Sequence, residues 1–224
     1  MCGRFTQAAP GEVVAALFEL PEVPVLAPRY NIAPTQDVAA VRLGAAGGRE
    51  LVALRWGLLP SWARDRAAAA RMVNARAETL VDKPAFRAAF RARRCLIVAD
   101  GFYEWRRRGA AGEPYYFARR DARPFGFAGL WERWQGEGSG PVESCTIITT
   151  AANETVAPVH DRMPVILDAA EFPLWLDPEA RDPEALAPLL RPRAGAGMRA
   201  YPVSALVNDP RNDVPACREP LAAG

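Results

Sequence analysis

The sequence predicts an α+β fold dominated by strands, in which a twisted, barrel-like antiparallel or mixed sheet carries peripheral helices. Short runs rich in β-branched and aromatic residues recur along the chain and are bounded by glycine or proline. Segments with helical spacing of apolar residues are fewer and shorter. The 224 residues, half of them hydrophobic, are enough for one domain with a sizeable core.

Strands are predicted wherever these runs fall. In chain order they are residues 2–6, 38–43, 50–56, 95–105, 115–119, 125–134, 144–150 and 199–203. Three glycine-rich stretches between strands, 44–48, 109–112 and 136–140, are typical of hairpin tips.

Helices are predicted at four places, residues 10–20, 84–93, 169–176 and 183–190. Pro10 suits the first turn of its helix, and Phe86 and Phe90 lie one helical turn apart. Twenty-one prolines break the rest into short connections. We expect a single domain over residues 1–207, followed by a loosely ordered tail over residues 208–224 that is rich in proline and aspartate.

Composition limits the kinds of partner and site. The net charge of +2 gives no indication of a partner. Lys83 is the one lysine beside 27 arginines, and either a GC-rich coding bias or selection for phosphate binding explains that excess. No C-x-x-C pair and a single histidine argue against a metal site, so no metal or cofactor is expected. No signal peptide or long apolar run is present, so we expect a cytoplasmic protein away from membranes, with Cys95 and Cys145 buried in strands.

Cys2 is the first candidate functional residue. If Met1 is removed, Cys2 carries both an α-amine and a thiol, and both titrate close enough to neutral pH to be partly nucleophilic. Such an aminothiol can attack an aldehyde with nitrogen and close a thiazolidine ring with sulfur. An incidental small residue after the initiating methionine explains the same position.

Three further segments place polar residues where a plain core strand would not. Asn74 can orient an amine or a sugar oxygen, and Arg76 can bind a phosphate with both arms of its guanidinium. Glu104 follows an apolar strand among aromatic residues, where desolvation would raise its pKa and make it a usable general acid. His160, followed directly by Asp161, suits proton transfer near neutral pH. A turn asparagine, a surface arginine, an outward-facing glutamate and a structural histidine are the ordinary alternatives.

Two further segments look like a surface for a partner. Residues 28–35 are predicted to form a rigid loop with exposed polar groups, and residues 55–62 place two tryptophans around a glycine and a proline. Aromatic rings beside arginine can stack on unpaired bases while the guanidinium holds the phosphate backbone. The same residues would also be found if the tryptophans were buried in the core and bound no ligand.

Six motifs occur together and in order: MCGRF, PRYNIAPTQ, RWGLLPSWA, VNARAET, DGFYEW and HDRMPVIL. Together they resemble the SRAP (SOS response-associated peptidase) family over residues 2 to about 205. The resemblance implies the SRAP fold and a protein that crosslinks covalently to abasic sites in single-stranded DNA, in DNA damage repair and the SOS response.

The resemblance also implies a role for each catalytic position. Cys2 would be the nucleophile, forming a Schiff base with its amine and a thiazolidine with its thiolate. Asn74 would hold the amine or the adduct. Glu104 would move protons in both steps, and His160 would assist opening of the sugar ring and reversal of the adduct.

Single-stranded DNA is the partner that the resemblance implies, and a monomer is expected. The residues carried over as DNA contacts are Arg4, Arg76 and Arg162 for phosphates, Pro34, Trp56 and Gly57 for the flanking nucleotides, and Trp105 and Thr149 as neighbours.

Other functions remain open at this point. A cysteine peptidase that acts on other proteins would need the thiol of Cys2 but not a free amine. Cys2, Glu104 and His160 could also cut a peptide bond of the same chain, most simply Met1–Cys2. Met1 could instead be removed by an aminopeptidase. A non-catalytic reader of single-stranded or modified DNA would need neither Cys2 nor Glu104. A weak β-elimination (lyase) activity at abasic sites is compatible with Schiff-base chemistry.

Overall fold

The structure, a computed structural model, describes residues 2–108, 111–136 and 140–221. The strands in this part of the chain are β1 Phe5–Gln7, β2 Arg29–Ile32, β3 Asp37–Leu43, β4 Arg49–Trp56, β5 Asn74–Arg76, β6 Arg94–Ala99, β7 Gly101–Arg108, β8 Ala111–Arg119, β9 Phe125–Trp134, β10 Val142–Ala151, β11 Arg162–Pro164, β12 Ile166–Leu167 and β13 Met198–Pro202. The α-helices are α1 Gly11–Phe18, α2 Pro84–Ala92, α3 Phe172–Leu176 and α4 Pro183–Leu186. Short 3-10 helices cover Arg66–Arg71, Ala77–Thr79, Ala169–Glu171, Ala187–Leu190, Gly195–Gly197, Ala205–Asn208 and Pro215–Arg218.

Five strands close on themselves as a barrel. β4 pairs with β3, β3 with β6, β6 with β9 and β9 with β10, all antiparallel, and β10 returns to β4 in parallel. β5 and β11 extend the barrel sheet from β10, and β12 extends it from β9. A second sheet has the order β13-β8-β7-β1-β2. The predicted α+β fold, a barrel-like mixed sheet with peripheral helices, is confirmed.

The two largest apolar clusters among the described residues fill most of this architecture. One lies between the barrel and the second sheet, where Phe5 of β1 meets Trp56 and Phe127 edge-on with ring centroids 5.2 and 5.7 Å apart. The other packs the helices against the outside of the barrel, with Phe18 of α1 stacked on Phe172 of α3. Burial of aromatic rings in both clusters joins the two sheets and the helices into one body.

The single strand predicted over residues 95–105 is wrong, because the chain breaks there into β6 and β7, which belong to different sheets. Asp100 lies at the break, and its buried carboxylate accepts hydrogen bonds from the Ala8 backbone N–H (2.6 Å) and from the Thr6 hydroxyl. Gly101 follows, where a Cβ atom would lie 2.1 Å from the hydroxyl oxygen of Tyr116. The break moves the following residues from the barrel to the second sheet.

The helices lie where they were predicted but are shorter. Residues 169–176 form a 3-10 turn followed by α3, and residues 183–190 form α4 followed by a 3-10 turn. α1 ends at Phe18 because Glu19 takes a left-handed conformation, with φ of 52°.

The segment after Val207 differs from the loosely ordered tail that the sequence predicted. The buried amide of Asn31 donates hydrogen bonds to the carbonyls of Val207, Asp209 and Asn212, at 3.2, 2.9 and 2.8 Å. Cys217 is fully buried. Residues 208–221 therefore pack against the second sheet, and residues 222–224 lie outside the described part of the chain.

Candidate active site around Cys2

Cys2 lies just before β1, with its side chain fully buried. Asn74, the first residue of β5, donates a hydrogen bond from Nδ2 to the Cys2 carbonyl oxygen, at 2.7 Å. Within the described residues, the other amide atom, Asn74 Oδ1, is buried without a hydrogen-bond partner. Such an atom is costly to leave unsatisfied, so Asn74 is prepared to accept a hydrogen bond from an amine or hydroxyl placed beside Cys2.

Burial raises the pKa of the Cys2 thiol far above its ordinary value, and the nearby Glu104 carboxylate raises it further. The backbone N–H of Arg4 acts in the opposite direction. The thiol is therefore neutral in this conformation and needs a base to take its proton before the sulfur can attack.

Glu104 is the group placed for proton transfer. It lies on β7 with its side chain 3% exposed, and burial raises the pKa of this carboxyl to about 7. Glu104 Oε2 lies 3.8 Å from Nε2 of His160. A carboxyl with this pKa is present both as acid and as base at neutral pH, as the sequence predicted for a glutamate among aromatic residues.

His160 faces Glu104 from the loop before β11. Its Nδ1 accepts a hydrogen bond from the Arg162 backbone N–H at 2.9 Å, which places the neutral ring's proton on Nε2, the atom nearer Glu104. Asp161 Oδ1 also lies 3.0 Å from Nδ1, but its side chain is 87% exposed and can turn to water, so the backbone contact decides the tautomer. Burial lowers the pKa of His160, which keeps the ring neutral at pH 7.

Arg162 lies beside this group, but its guanidinium is already paired. Nη1 and Nη2 donate to the two carboxylate oxygens of Glu78 at 2.6 and 2.9 Å, and Nη2 also donates to the Thr149 carbonyl at 2.7 Å. Thr149 is itself buried. Any phosphate that binds Arg162 must therefore compete with Glu78, and Thr149 supports Arg162 from inside the protein.

Arg4 was predicted to bind phosphate, but its guanidinium is half-buried in protein contacts. Its Nη1 donates to Asn31 Oδ1 and to the Val207 carbonyl, at 2.8 and 2.7 Å. The same guanidinium lies 5.8 Å from the ring centre of Trp105, whose Nε1 donates to Asn208. Burial lowers the pKa of Arg4. Arg4 and Trp105 therefore hold the C-terminal segment in this conformation.

Arg76 keeps the exposed position that a phosphate contact requires. It lies two residues beyond Asn74 on β5, so both side chains lie on the same face of the strand, about 7 Å apart along the chain. Arg76 therefore offers a positive charge at the edge of the site.

The tryptophan predicted to meet the flanking nucleotides is a core residue. Trp56 has no exposed surface, its Nε1 donates to the Val73 carbonyl at 2.8 Å, and its ring packs on Phe5. The structure thus supports the buried alternative for Trp56, because its ring has no free face for stacking. Trp62, from the same motif, is 62% exposed.

Pro34 and Gly57 hold two loops together at the end of β4. Half-buried Pro34 precedes Thr35, whose φ of 74° is rare for a β-branched residue and whose N–H donates to the Trp56 carbonyl at 2.8 Å. Gly57 has a φ of 127°, which favours glycine. The PRYNIAPTQ motif, residues 28–36, is therefore only in part the predicted rigid loop, because Arg29–Ile32 form β2 and residues 33–36 form the turn after it.

Sequence reasoning missed Glu78, Arg107 and Asn31. Arg107 is exposed and near enough to His160 to lower its pKa; the run of three arginines at 106–108 was its signal. Glu78 lies within the VNARAET motif, where nothing in the sequence indicated its pairing with Arg162. Asn31 lies in the 28–36 motif, where nothing indicated its burial.

Among residues 2–108, 111–136 and 140–221, no three side chains of the types His, Cys, Asp or Glu cluster as metal ligands would. No helix in that part is long and apolar enough to cross a membrane.

Comparisons with known proteins agree on a family. The family described as SOS response associated peptidase (SRAP) matches residues 1–210. The abasic site processing protein YoqW of Bacillus subtilis is 42% identical over 220 residues, covering 96% of this chain and 97% of YoqW. The abasic site processing protein HMCES of Gallus gallus is 33% identical, covering 90% of this chain and 64% of HMCES. A crystal structure of a Bacteroides thetaiotaomicron protein superposes with a TM-score of 0.85 at 28% identity, covering 98% of this chain and all of that chain.

Proposed function

Because this chain belongs to the SOS response-associated peptidase (SRAP) family, we propose that it processes abasic sites in single-stranded DNA by covalent capture through Cys2. The observation that carries the proposal is the convergence of four groups: buried Cys2, Asn74 bonded to its carbonyl, Glu104 with a raised pKa, and His160 beside Glu104. One domain, made of the predicted residues 1–207 together with the packed segment 208–221 and acting as a monomer in the cytoplasm, is part of the proposal.

The reaction begins once removal of Met1 has freed the Cys2 amine. The ring-opened abasic sugar presents an aldehyde at C1′, and the amine adds to that carbon to give a carbinolamine. Loss of the hydroxyl as water leaves a Schiff base. The Schiff base keeps its proton on nitrogen, and the Cys2 sulfur, after giving its own proton to the Glu104 carboxylate, adds to the same carbon to give a thiazolidine. The balance is protein plus DNA giving adduct plus one water.

Glu104 has a proton-transfer role in each step. Its protonated form supplies the proton that turns the carbinolamine hydroxyl into water, and the resulting carboxylate takes the thiol proton before ring closure. A pKa of about 7 makes both forms available. His160, held as the Nε2–H tautomer by the Arg162 backbone, lies where it can assist opening of the closed sugar and reversal of the adduct.

A single strand suits this site because an unpaired abasic sugar avoids the few kcal/mol that extruding a nucleotide from a duplex would cost. Arg76 lies two residues beyond Asn74 on β5, and the Arg162 backbone N–H bonds to His160. Each phosphate that these arginines neutralise should add about −0.7 to the log–log slope of affinity against salt. Schiff-base formation also makes a weak β-elimination activity compatible with this mechanism.

The test is intact-mass analysis of the purified protein before and after incubation with a single-stranded oligonucleotide that carries one abasic site. We expect a starting mass without Met1, then a stable species equal to protein plus oligonucleotide minus one water. Cys2→Ala should give no stable species. Cys2→Ser should give only a Schiff base, trapped by borohydride, because its hydroxyl is a much poorer nucleophile than a thiol.

Cys217→Ala is the matched control, since it removes another buried cysteine outside the site and should form the adduct normally. Loss of Met1 without any adduct would contradict covalent capture and leave the DNA reader and the peptidase. Acylation of the Cys2 amine distinguishes covalent capture from the other two functions. It should abolish capture, whereas a peptidase that acts through the thiol would stay active. Retention of Met1 in Glu104→Gln or Cys2→Ser, with removal in the unmodified chain, would indicate self-cleavage rather than an aminopeptidase.

A further inference from the structure

The Arg162 guanidinium binds the Glu78 carboxylate through the edge that a phosphate would use. Two parallel hydrogen bonds, Nη1 to Oε1 at 2.6 Å and Nη2 to Oε2 at 2.9 Å, join it to Glu78. This is the fork-to-fork geometry with which arginine binds phosphates as well as carboxylates. The contact spans 84 residues of sequence, so the fold itself brings the two side chains together.

The guanidinium cannot easily turn away to meet a second anion. The Arg162 side chain is only 13% exposed, its Nη2 is also held by the Thr149 carbonyl, and its backbone N–H is held by His160. Its Nε is buried without a hydrogen-bond partner in the described part of the chain. The accessible edge of Arg162 is therefore the edge that Glu78 covers.

Glu78 differs from its partner in being exposed enough to turn away into solvent. Its side chain is 53% exposed and lies in the short 3-10 turn directly after β5. The hydrogen bonds from Arg162 hold the pKa of this carboxyl below its usual range, and Arg76 lowers it further, so Glu78 is charged at neutral pH. A negative charge thus interacts with both arginines proposed to meet the strand.

We propose that Glu78 is a specificity-determining residue, whose carboxylate competes with strand phosphate for Arg162. This inference rests on the proposed function. An intact strand must displace Glu78 to gain the Arg162 contact, so its electrostatic gain is reduced. A strand with an abasic site compensates through the covalent bond to Cys2. Glu78 therefore lowers the affinity for undamaged single strands, so that fewer of them stay bound, whereas a strand with an abasic site is retained by the covalent bond.

The experiment measures binding of a fluorescein-labelled oligothymidylate without any abasic site, by anisotropy across a salt series. Glu78→Gln keeps the shape but removes the charge, and we expect several-fold tighter binding at low salt. The log–log slope should become steeper by up to about 0.7, the value for one further phosphate neutralised on a single strand. In the double variant Glu78→Gln/Arg162→Gln, the gain should disappear, because the two side chains act on each other.

Glu113→Gln is the matched control. It removes a carboxylate paired with Arg106 across the β7–β8 hairpin and should leave affinity and slope unchanged. Glu78→Ala is a second variant that removes the carboxylate altogether, and its melting temperature reports whether the fold survives.

Unchanged or weaker binding by both folded Glu78 variants would overturn the proposal and make Glu78 only a support for Arg162. Failure of every protein to bind the intact strand at low salt would overturn it as well, since Arg162 would then not meet the strand. Failure of the proposed function looks different: the unmodified protein would bind the intact oligonucleotide but form no adduct with the abasic one.

Discussion

Glu104 is the residue whose environment most strongly sets the chemistry. Attack by the Cys2 amine requires that amine to be unprotonated, and its ordinary pKa is near 8. Loss of water requires Glu104 as an acid, and burial raises the pKa of that carboxyl to about 7. We therefore expect a bell-shaped dependence of the crosslinking rate on pH. Glu104→Gln should lower the rate by about 10²–10⁴-fold and abolish the falling limb above neutral pH. Survival of that limb in Glu104→Gln would assign it to another group.

The same carboxyl makes folding stability depend on pH. The pKa of Glu104 rises from 4.5 to about 7 on folding. The stabilising contribution of this carboxyl to the free energy of unfolding is therefore fully present below pH 4.5 and is lost as the pH rises through 7. The shift corresponds to about 3 kcal/mol across that window. Glu104→Gln should remove this loss, so its unfolding free energy measured in urea should exceed that of the unmodified protein at about pH 8 and approach it at about pH 5. Parallel pH profiles for the two proteins would contradict the raised pKa.

At the scale of elements, the turn that follows β4 connects the loop around Pro34 to the candidate active site. Gly57 has a φ of 127°, and a Cβ atom there would lie 2.9 Å from the backbone oxygen of Ala69. Gly57→Ala combines backbone strain with a clash against a rigid atom, and we expect it to cost about 1–3 kcal/mol in chemical denaturation. Gly48→Ala, where no atom lies within 4 Å of the added carbon, should be nearly neutral. Equal effects of the two substitutions would show that the turn relaxes.

The positions of most elements could be predicted from sequence, because strand composition and helical spacing are local properties. The break at Asp100 could not, since its partners Thr6 and Ala8 lie more than 90 residues earlier in the chain. Trp56 shows the same limit. A tryptophan beside arginine and glycine could equally be an exposed ring that stacks on bases, and only the packing of its ring on Phe5 shows that it is buried.

The candidate site also has a part that could be predicted from the sequence and a part that could not. The candidate catalytic residues were predicted because the reactivity of each belongs to its own side chain and each lies in one of the sequence motifs. They are Cys2, Asn74, Glu104 and His160. The pairing of Arg162 with Glu78 depends on the meeting of β11 with the turn after β5, which nothing near either residue in the sequence indicates.

At the scale of the whole molecule, the C-terminal segment is part of the fold. The Asp213 carboxylate accepts hydrogen bonds from the backbone N–H groups of Tyr30 and Asn31, at 2.5 and 3.0 Å, and Cys217 is buried against the second sheet. A chain that ends at Val207 loses these contacts, and each buried hydrogen bond lost should cost about 1–3 kcal/mol. We expect a clearly lower melting temperature by circular dichroism. A chain that ends at Leu221 keeps every one of them and is the control; equal melting temperatures would contradict a structural role.

The complete burial of Cys2 has a consequence for selectivity in the cell. An aminothiol at the surface would condense with any small carbonyl metabolite and would be open to peroxide. Here the sulfur is enclosed and holds its proton, so a freely diffusing aldehyde or oxidant meets neither an accessible atom nor a reactive thiolate. Reactivity would then depend on a bound strand that brings its aldehyde to Cys2 and on Glu104, which takes the thiol proton. The fold would act as protection for a reagent that must persist unused until damage occurs.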